Sequence, residues 1–363
     1  MLPPAIRRVP RVPRHAVWEI TTACNLRCIH CEGSAGRRDP RELDAAEALS
    51  LCDELIATGC EQCNVSGGEP LLRSDWDAIC RRLAAGHVLV TLVTNGARLD
   101  DDAVRRATDA GVHAVSLSVD GLRETHDRIR PHPPGRGSSF DDVGAAMRRV
   151  RATSLQLAVI THVNRWNLGE LEAIHARLRE EGARQWQLQL GVPLGRLREI
   201  AEPYMLAPEQ LPGLAERLAA LITGGLAPRL RVTDTIGYYT PVEPVLRSPP
   251  SGKPGVWTGC YAGILAVGIE SNGNVKACSS LPSEWAVGNV RETPFRTIWA
   301  DEERFAFNTR WDEKKLVGWC ARCSYRRVCR AGCSSLAYSV TGTIYDNPYC
   351  LHRVAERARE EGR

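Results

Sequence analysis

From residue 16 to about 222, apolar positions along the chain alternate between two periods. Short runs rich in β-formers read as strands: "AVWEITT", "CNVSGG", "HVLVTLVTNG", "VHAVSLSVDG", "LQLAVITHVN" and "RQWQLQLGV". Between them stand stretches with helical spacing. "ELDAAEALSLCDELIATG" closes on Gly59 as a C-cap, and "SDWDAICRRLAAG" opens on Ser74 as an N-cap. "DDAVRRATDAG", "FDDVGAAMRRVRAT" and "LGELEAIHARLREEG" follow, and "PEQLPGLAERLAALIT" completes a sixth unit. Six β-then-α units predict an α/β fold with a parallel sheet and outer helices. Six units rather than eight predict a partial (β/α)6 barrel, open on one side, with its chemistry at the carboxyl ends of the strands.

The pattern then changes. Residues 223–258, with "GGLAPR", "PVEPV" and "SPPSGKPG", read as a turn-rich linker and the domain boundary. Residues 259–363 hold a hairpin around Asn272-Gly273, loops, short helices and a terminal helix, "LHRVAERAREEGR". That is little core for such a length unless something else staples it. The expected organisation is therefore an N-terminal arm over 1–15, a barrel over 16–222, the linker, and a loop-rich domain over 259–363.

Composition narrows the function classes. The net charge of +4 is small for 363 residues, and the arginines are spread along the chain without interleaved aromatics, so no nucleic-acid partner is expected. No apolar run approaches the ~20 residues of a membrane span, and the first residues lack the apolar core of a secretory signal. These features predict a cytoplasmic protein with no membrane partner. Fourteen cysteines in such a chain point to metal or redox chemistry rather than disulfides. Three lie at 24–31, seven at 260–350, and none from 81 to 259. Cys60 and Cys63 form a C-x-x-C at the entry to a strand, and with Cys52 and Cys80 on helices they read as packing thiols.

Cys24, Cys28 and Cys31 stand as C-x₃-C-x₂-C just past the first strand. A structural zinc site completed by His30 or a distant cysteine is one reading. A cubane iron–sulfur cluster with one iron left open is the other. At the end of the second strand, "VSGGEP" (65–70) adds two glycines, which let a backbone approach a ligand closely, and a glutamate. Together these motifs resemble those of the radical S-adenosylmethionine (SAM) superfamily. The resemblance implies a [4Fe–4S] cluster on Cys24, Cys28 and Cys31 whose open iron is chelated by SAM. Reductive cleavage of SAM then gives a 5′-deoxyadenosyl radical that removes hydrogen from a substrate. It also implies that Gly67, Gly68 and Glu69 meet the methionyl amine, that Ser118 contacts the ribose, that Arg130 meets the SAM carboxylate, and that His30 lies near the adenine.

The C-terminal cysteines resemble the SPASM extension of the same superfamily: C260-x₁₂-G273-x₄-C278, C320-x₂-C323-x₅-C329-x₃-C333, then C350. From spacing alone, paired C-x-x-C knuckles could also hold zinc. The resemblance implies two auxiliary iron–sulfur clusters, a distal one on Cys320, Cys323, Cys329 and Cys350 and a proximal one on Cys260, Cys278 and Cys333. The eighth cysteine that some relatives carry upstream of the first is missing from "SGKPGVWTG", so the proximal cluster is expected to have an open or non-cysteine position. A base beside the second cysteine cannot be carried over, because Ser279 stands there. Asp120, His162 and Glu270 are acid–base candidates near strand ends, and the catalytic residue stays unassigned.

The expected activity is that of a radical SAM/SPASM oxidoreductase that dehydrogenates, crosslinks or decarboxylates a ribosomally synthesised peptide. Its electron donor would be a flavodoxin or ferredoxin. The first strand begins near residue 16, which leaves no room for a fused leader-peptide domain, so a separate recognition protein is expected. One alternative is a dehydrogenase or epimerase of a small sugar or aminoglycoside. Another is a non-catalytic iron–sulfur electron carrier.

Overall fold

The computed structural model describes residues 11–248 and 255–361, so the first ten residues of the arm and six residues of the linker lie outside the described residues. Six strands and six helices build the first half in alternation. These are β1 (His15–Glu19), α1 (Ala45–Ala57), β2 (Gln62–Ser66), α2 (Trp76–Ala85), β3 (Leu89–Thr94), α3 (Asp101–Asp109), β4 (Ala114–Ser118), α4 (Arg123–Ile129), α5 (Ser139–Arg151), β5 (Gln156–Val163), α6 (Leu171–Glu180) and β6 (Gln185–Leu190). The sixth predicted helix follows as Leu211–Thr223. A helix that the periodicity did not show, α4, is inserted between β4 and α5.

The sheet is longer than six strands. β7 (Arg229–Val232) pairs in parallel with β6, inside the stretch read as linker. On the other edge β8 (Ala266–Ile269), from the C-terminal part, pairs in parallel with β1. β9 (Asn274–Lys276) and β10 (Gly288–Asn289) then add two antiparallel strands. The order is β10-β9-β8-β1-β2-β3-β4-β5-β6-β7, and the sheet does not close. The partial α/β barrel therefore stands, extended at both edges. Open edges expose unpaired backbone groups, which is the physical reason for β1 to take a partner from so far along the chain.

Strand alternation separates the two faces. Ala16, Trp18, Cys63, Val65, Val90 and Leu92 face outward and are buried beneath the helices. Cys52 on α1 and Cys80 on α2 join them, as expected of packing thiols, and burial pushes the Cys52 thiol up to about 12. The inward positions Gln62, Asn64, Thr91, Ser116, Gln185 and Gln187 are polar and surround a cavity of about 210 Å³. A closed barrel fills this space with branched side chains; here it stays open.

Local punctuation largely follows expectation. Gly59 takes φ +86° after α1, and Gly273 takes φ +89° in the β8–β9 hairpin. Ser74 does not cap α2. The helix begins one residue later, and Asp75 holds the cap position with its carboxylate occupied by Arg73 (2.8 and 2.9 Å).

Candidate active site and cluster ligands

Beyond β1 the chain enters the cysteine loop under close control from its neighbour. A Cβ on Gly67 would lie 2.3 Å from the Thr21 carbonyl oxygen, and one on Gly68 would lie 2.2 Å from that of Ala23. The Gly68 and Glu69 amides donate to those same carbonyls, each at 2.7 Å. The paired glycines thus let one backbone approach another, and the contact fixes where Cys24 begins the loop. The Glu69 carboxylate is buried and accepts from Thr94 Oγ1 (2.7 Å) and the Asn95 amide (2.8 Å); burial pushes it up to about 7.

Arg196 ties down the far side of the loop. Its Nε donates to the Cys28 carbonyl (2.9 Å) and its amide to that of Cys31 (3.0 Å). The Ala35 amide points at Cys31 Sγ (3.4 Å). All three cysteines are unpaired and half-buried. Burial pushes the Cys24 thiol up to about 11, and it raises Cys28 against the pull of Arg130. Burial that disfavours free thiolates at Cys24 and Cys28 calls for a cation beside them, and three soft sulfur donors suit iron–sulfur chemistry. Among the described residues no three His, Cys, Asp or Glu side chains are arranged around a single metal ion. Cubane ligands each bind a different iron.

Behind the loop lies a buried polar network. Asp120, just past β4, has no exposed surface; it accepts from Arg130 Nε (2.6 Å) and the His162 amide (2.7 Å) and lies 3.3 Å from His30 Nε2. Burial would raise this carboxyl, but Arg130, His30 and His162 hold it well below the usual carboxylate range. Arg130 follows α4, with one terminal nitrogen 3.3 Å from His30 and the other 3.8 Å from Cys28 Sγ. It is thereby tied to the cysteine loop, with Nε committed to Asp120. His30 turns inward, stacks on Tyr204 at 5.7 Å and lies edge-on to His162 at 4.7 Å. Ser118 ends β4, half-buried, two residues before Asp120.

In the C-terminal part Cys320, Cys323, Cys329 and Cys350 line one cavity with Tyr238, Tyr239, Trp319 and His352. This is the expected distal set. Cys260, Cys278 and Cys333 form the second group: burial, then their own proximity, pushes Cys278 and Cys333 up to about 12. Ser335 Oγ lies 3.2 Å from Cys333 Sγ. Tyr238 joins the groups, since its ring lines the first cavity and its hydroxyl accepts from the Cys333 amide (2.8 Å). Lys276 fixes the turn after Cys278, donating to the carbonyls of Ser279 (3.0 Å) and Leu281 (2.6 Å) and pairing with Glu270 (2.8 Å). That pairing occupies Glu270, while Asp120 and His162 are held in the network behind the loop.

Between the cysteine loop and the hairpin lies a polar cavity of about 670 Å³. Glu19, Glu32, Ser34, Lys276 and Ser280 are on its walls. Glu32 follows Cys31 directly, accepts from the Val192 amide (2.9 Å), and is pushed by burial up to about 7. Glu19 is likewise raised by burial. Sequence reading passed over both, although strand alternation from Val17 would have placed Glu19 on the inner face.

Comparison with known proteins gives this geometry a family. A model of the radical SAM superfamily matches residues 18–178, and one of the SPASM iron–sulfur cluster-binding domain matches 260–324. The chain is 32% identical over 353 residues to the AdoMet-dependent heme synthase of Methanosarcina barkeri, covering 95% of this chain and 98% of that protein. It is 30% identical over 340 residues to the mycofactocin maturase MftC of Mycolicibacterium smegmatis, covering 91% and 80%. In fold it is similar to Streptococcus suis SuiB bound to S-adenosylmethionine, with a TM-score of 0.72 at 15% identity over 93% of this chain and 76% of that one. It is also similar in fold to anSMEcpe with AdoMet and a peptide, at 0.70 and 18% identity over 94% of each. The chain belongs to the radical SAM superfamily, in its SPASM-containing group, with S-adenosylmethionine, a [4Fe–4S] cluster and auxiliary iron–sulfur clusters as cofactors.

Proposed function

We propose that this enzyme is an oxidoreductase that abstracts hydrogen from an unactivated C–H bond of a ribosomally made peptide held in the 670 Å³ cavity. Cys24, Cys28 and Cys31 hold the cluster that takes SAM, and Glu69, Ser118, Arg130 and His30 surround the bound SAM with the Gly67-Gly68 turn. Cys320, Cys323, Cys329 and Cys350 hold the distal cluster. Cys260, Cys278 and Cys333 hold the proximal one, with a non-cysteine group at the remaining position. When bound, SAM and its cluster supply a carbon-centred radical able to break such a bond.

One observation carries the proposal: the cavity has residues next to Cys31 on one wall and residues next to Cys278 on the other. A substrate there lies between both cofactor sites, where a hydrogen atom can be taken on one side and an electron on the other. Its walls are mainly carboxylate, hydroxyl and basic groups, with Val17, Leu194, Leu281 and Pro282 as the apolar members. Such walls suit a polar backbone better than the flat apolar face of a macrocycle. The relatedness to heme synthase favours a second reading, a tetrapyrrole carboxylate held by Arg41, Arg198 or Lys276. The chain would work in the cytoplasm. Among the described residues no helix is long and apolar enough to cross a membrane.

The test is anaerobic incubation of reconstituted enzyme with SAM, dithionite and either short peptides encoded beside its gene or an iron porphyrin with propionate side chains. Mass spectrometry should show loss of hydrogen or carbon dioxide from the peptide, with deuterium passing from labelled peptide into 5′-deoxyadenosine. Turnover of the porphyrin alone would transfer the assignment to the second reading. Glu19 lines the cavity on a rigid strand, and within the same proposal it takes up the proton released on oxidation. Glu19→Gln should lower product formation by about 10²-fold while 5′-deoxyadenosine still forms. Equal loss of both would remove Glu19 from that role.

A further inference from the structure

The surface over the distal cysteines is unusual in both charge and exposure. Residues 311–331 contain six basic side chains, Lys314, Lys315, Arg322, Arg326, Arg327 and Arg330, against Asp312 and Glu313. That excess equals the net charge of the whole chain, +4. Arg330 is buried, whereas Lys314, Lys315, Arg322 and Arg327 are exposed. Glu313 pairs with Arg327 at 2.9 Å and reaches Arg326 at 3.8 Å, which joins the two lysines and the arginine turn into one face. Among the described residues Lys314, Lys315 and Arg322 form no ion pair.

Apolar side chains interrupt this basic face. Of the seven large hydrophobic residues exposed among the described residues, three lie here: Val317 at 47%, Tyr325 at 39% and Val328 at 40%. Cys320 and Cys323 fall between them, and Cys329 comes next in the chain. Tyr325 stacks on Tyr239 at 4.1 Å, and Tyr239 lines the four-cysteine cavity. Packed side chains therefore lead from the exposed face directly to the proposed cluster.

We infer that this face docks a small acidic one-electron carrier protein, which exchanges electrons with the distal cluster. Charge complementarity argues for an acidic partner, because unpaired surface cations around an apolar centre steer and orient an oppositely charged surface. Proximity argues for a redox partner, because this face lies against the cavity lined by Cys320, Cys323, Cys329 and Cys350. In the delivering direction the reduced carrier loses one electron and the distal cluster gains it; no bond forms or breaks and no proton moves. The inference rests on the distal cluster assignment and is independent of the substrate.

The experiment is anaerobic stopped-flow mixing of oxidised holoenzyme with reduced flavodoxin, used as the acidic carrier probe. Cluster reduction is followed by absorbance and by electron paramagnetic resonance of frozen samples. Lys314→Glu/Lys315→Glu removes charge without approaching a cysteine ligand. At low ionic strength it should slow the second-order rate at least tenfold, and added salt should slow the unaltered protein toward the variant's rate. Reduction by dithionite should be unchanged. Arg105→Glu/Arg148→Glu, on the α3 and α5 surface, should leave the flavodoxin rate unaltered. A distal-cluster signal with equal rates for the lysine variant and the unaltered protein overturns the docking face alone. Absence of any distal-cluster signal after dithionite overturns the cluster assignment and the docking face together.

Discussion

Replacing Cys24, Cys28 and Cys31 together by alanine should abolish 5′-deoxyadenosine formation while leaving iron in the C-terminal half. The three thiols sit on one loop held by Arg196 from beyond β6 and by the Gly67-Gly68 turn after β2, so the loop keeps its shape when the sulfurs are removed. The remaining cysteines cannot take over. Cys52, Cys63 and Cys80 are wholly buried in the sheet–helix layer, and Cys60 hydrogen-bonds the Gln62 carbonyl at its edge. The seven C-terminal cysteines belong to two other groups. Iron content should fall by the share of one cluster, and the auxiliary signals should survive in electron paramagnetic resonance. SAM cleavage by the triple variant under dithionite would refute the ligand set. Cys63→Ala serves as the comparison: it leaves a cavity in the core costing about 1 kcal/mol and should not touch SAM cleavage.

How much of this could be read before the fold was known differs from element to element. The six repeated units were legible because period-two and period-3.6 patterns alternate cleanly and both faces of each element have a fixed environment. β7 was not, because four residues, "RLRV", stand just after Pro228 in a stretch dense with turn signals. The β8–β1 pairing joins residues about 250 apart in sequence, and no local pattern encodes a partner at that distance. The cysteine groups were legible because ligand spacing is set by the cluster rather than by the fold. Glu32 was hidden by its place beside Cys31: whether that side chain reaches the cavity depends on how the loop turns, and Val192, 160 residues away, decides it.

The buried network behind the loop gives the second large effect: Asp120→Ala should destabilise the anaerobic holoprotein by about 3–5 kcal/mol. Burial works against the Arg130 charge, and Asp120 is the main group that restores it, followed by Cys28. Removing the carboxylate leaves a largely buried guanidinium among His30, His162 and Tyr204, with Cys28 Sγ at 3.8 Å as the remaining group that offsets its charge. The His162 amide, which donates to Asp120 at 2.7 Å, loses its acceptor at the same time. Asp120→Asn keeps the shape and one acceptor oxygen but not the charge, so it should fall between the two proteins. Acid should reduce the difference. The Asp120 carboxyl is held below its unfolded value, so its contribution is complete above pH about 4 and is lost as pH falls further toward the folded value. Urea unfolding followed by far-ultraviolet circular dichroism at pH 7, and again at the lowest pH that retains iron, measures both. A loss below about 1 kcal/mol at pH 7 would mean that water or a cofactor group, not Asp120, neutralises Arg130.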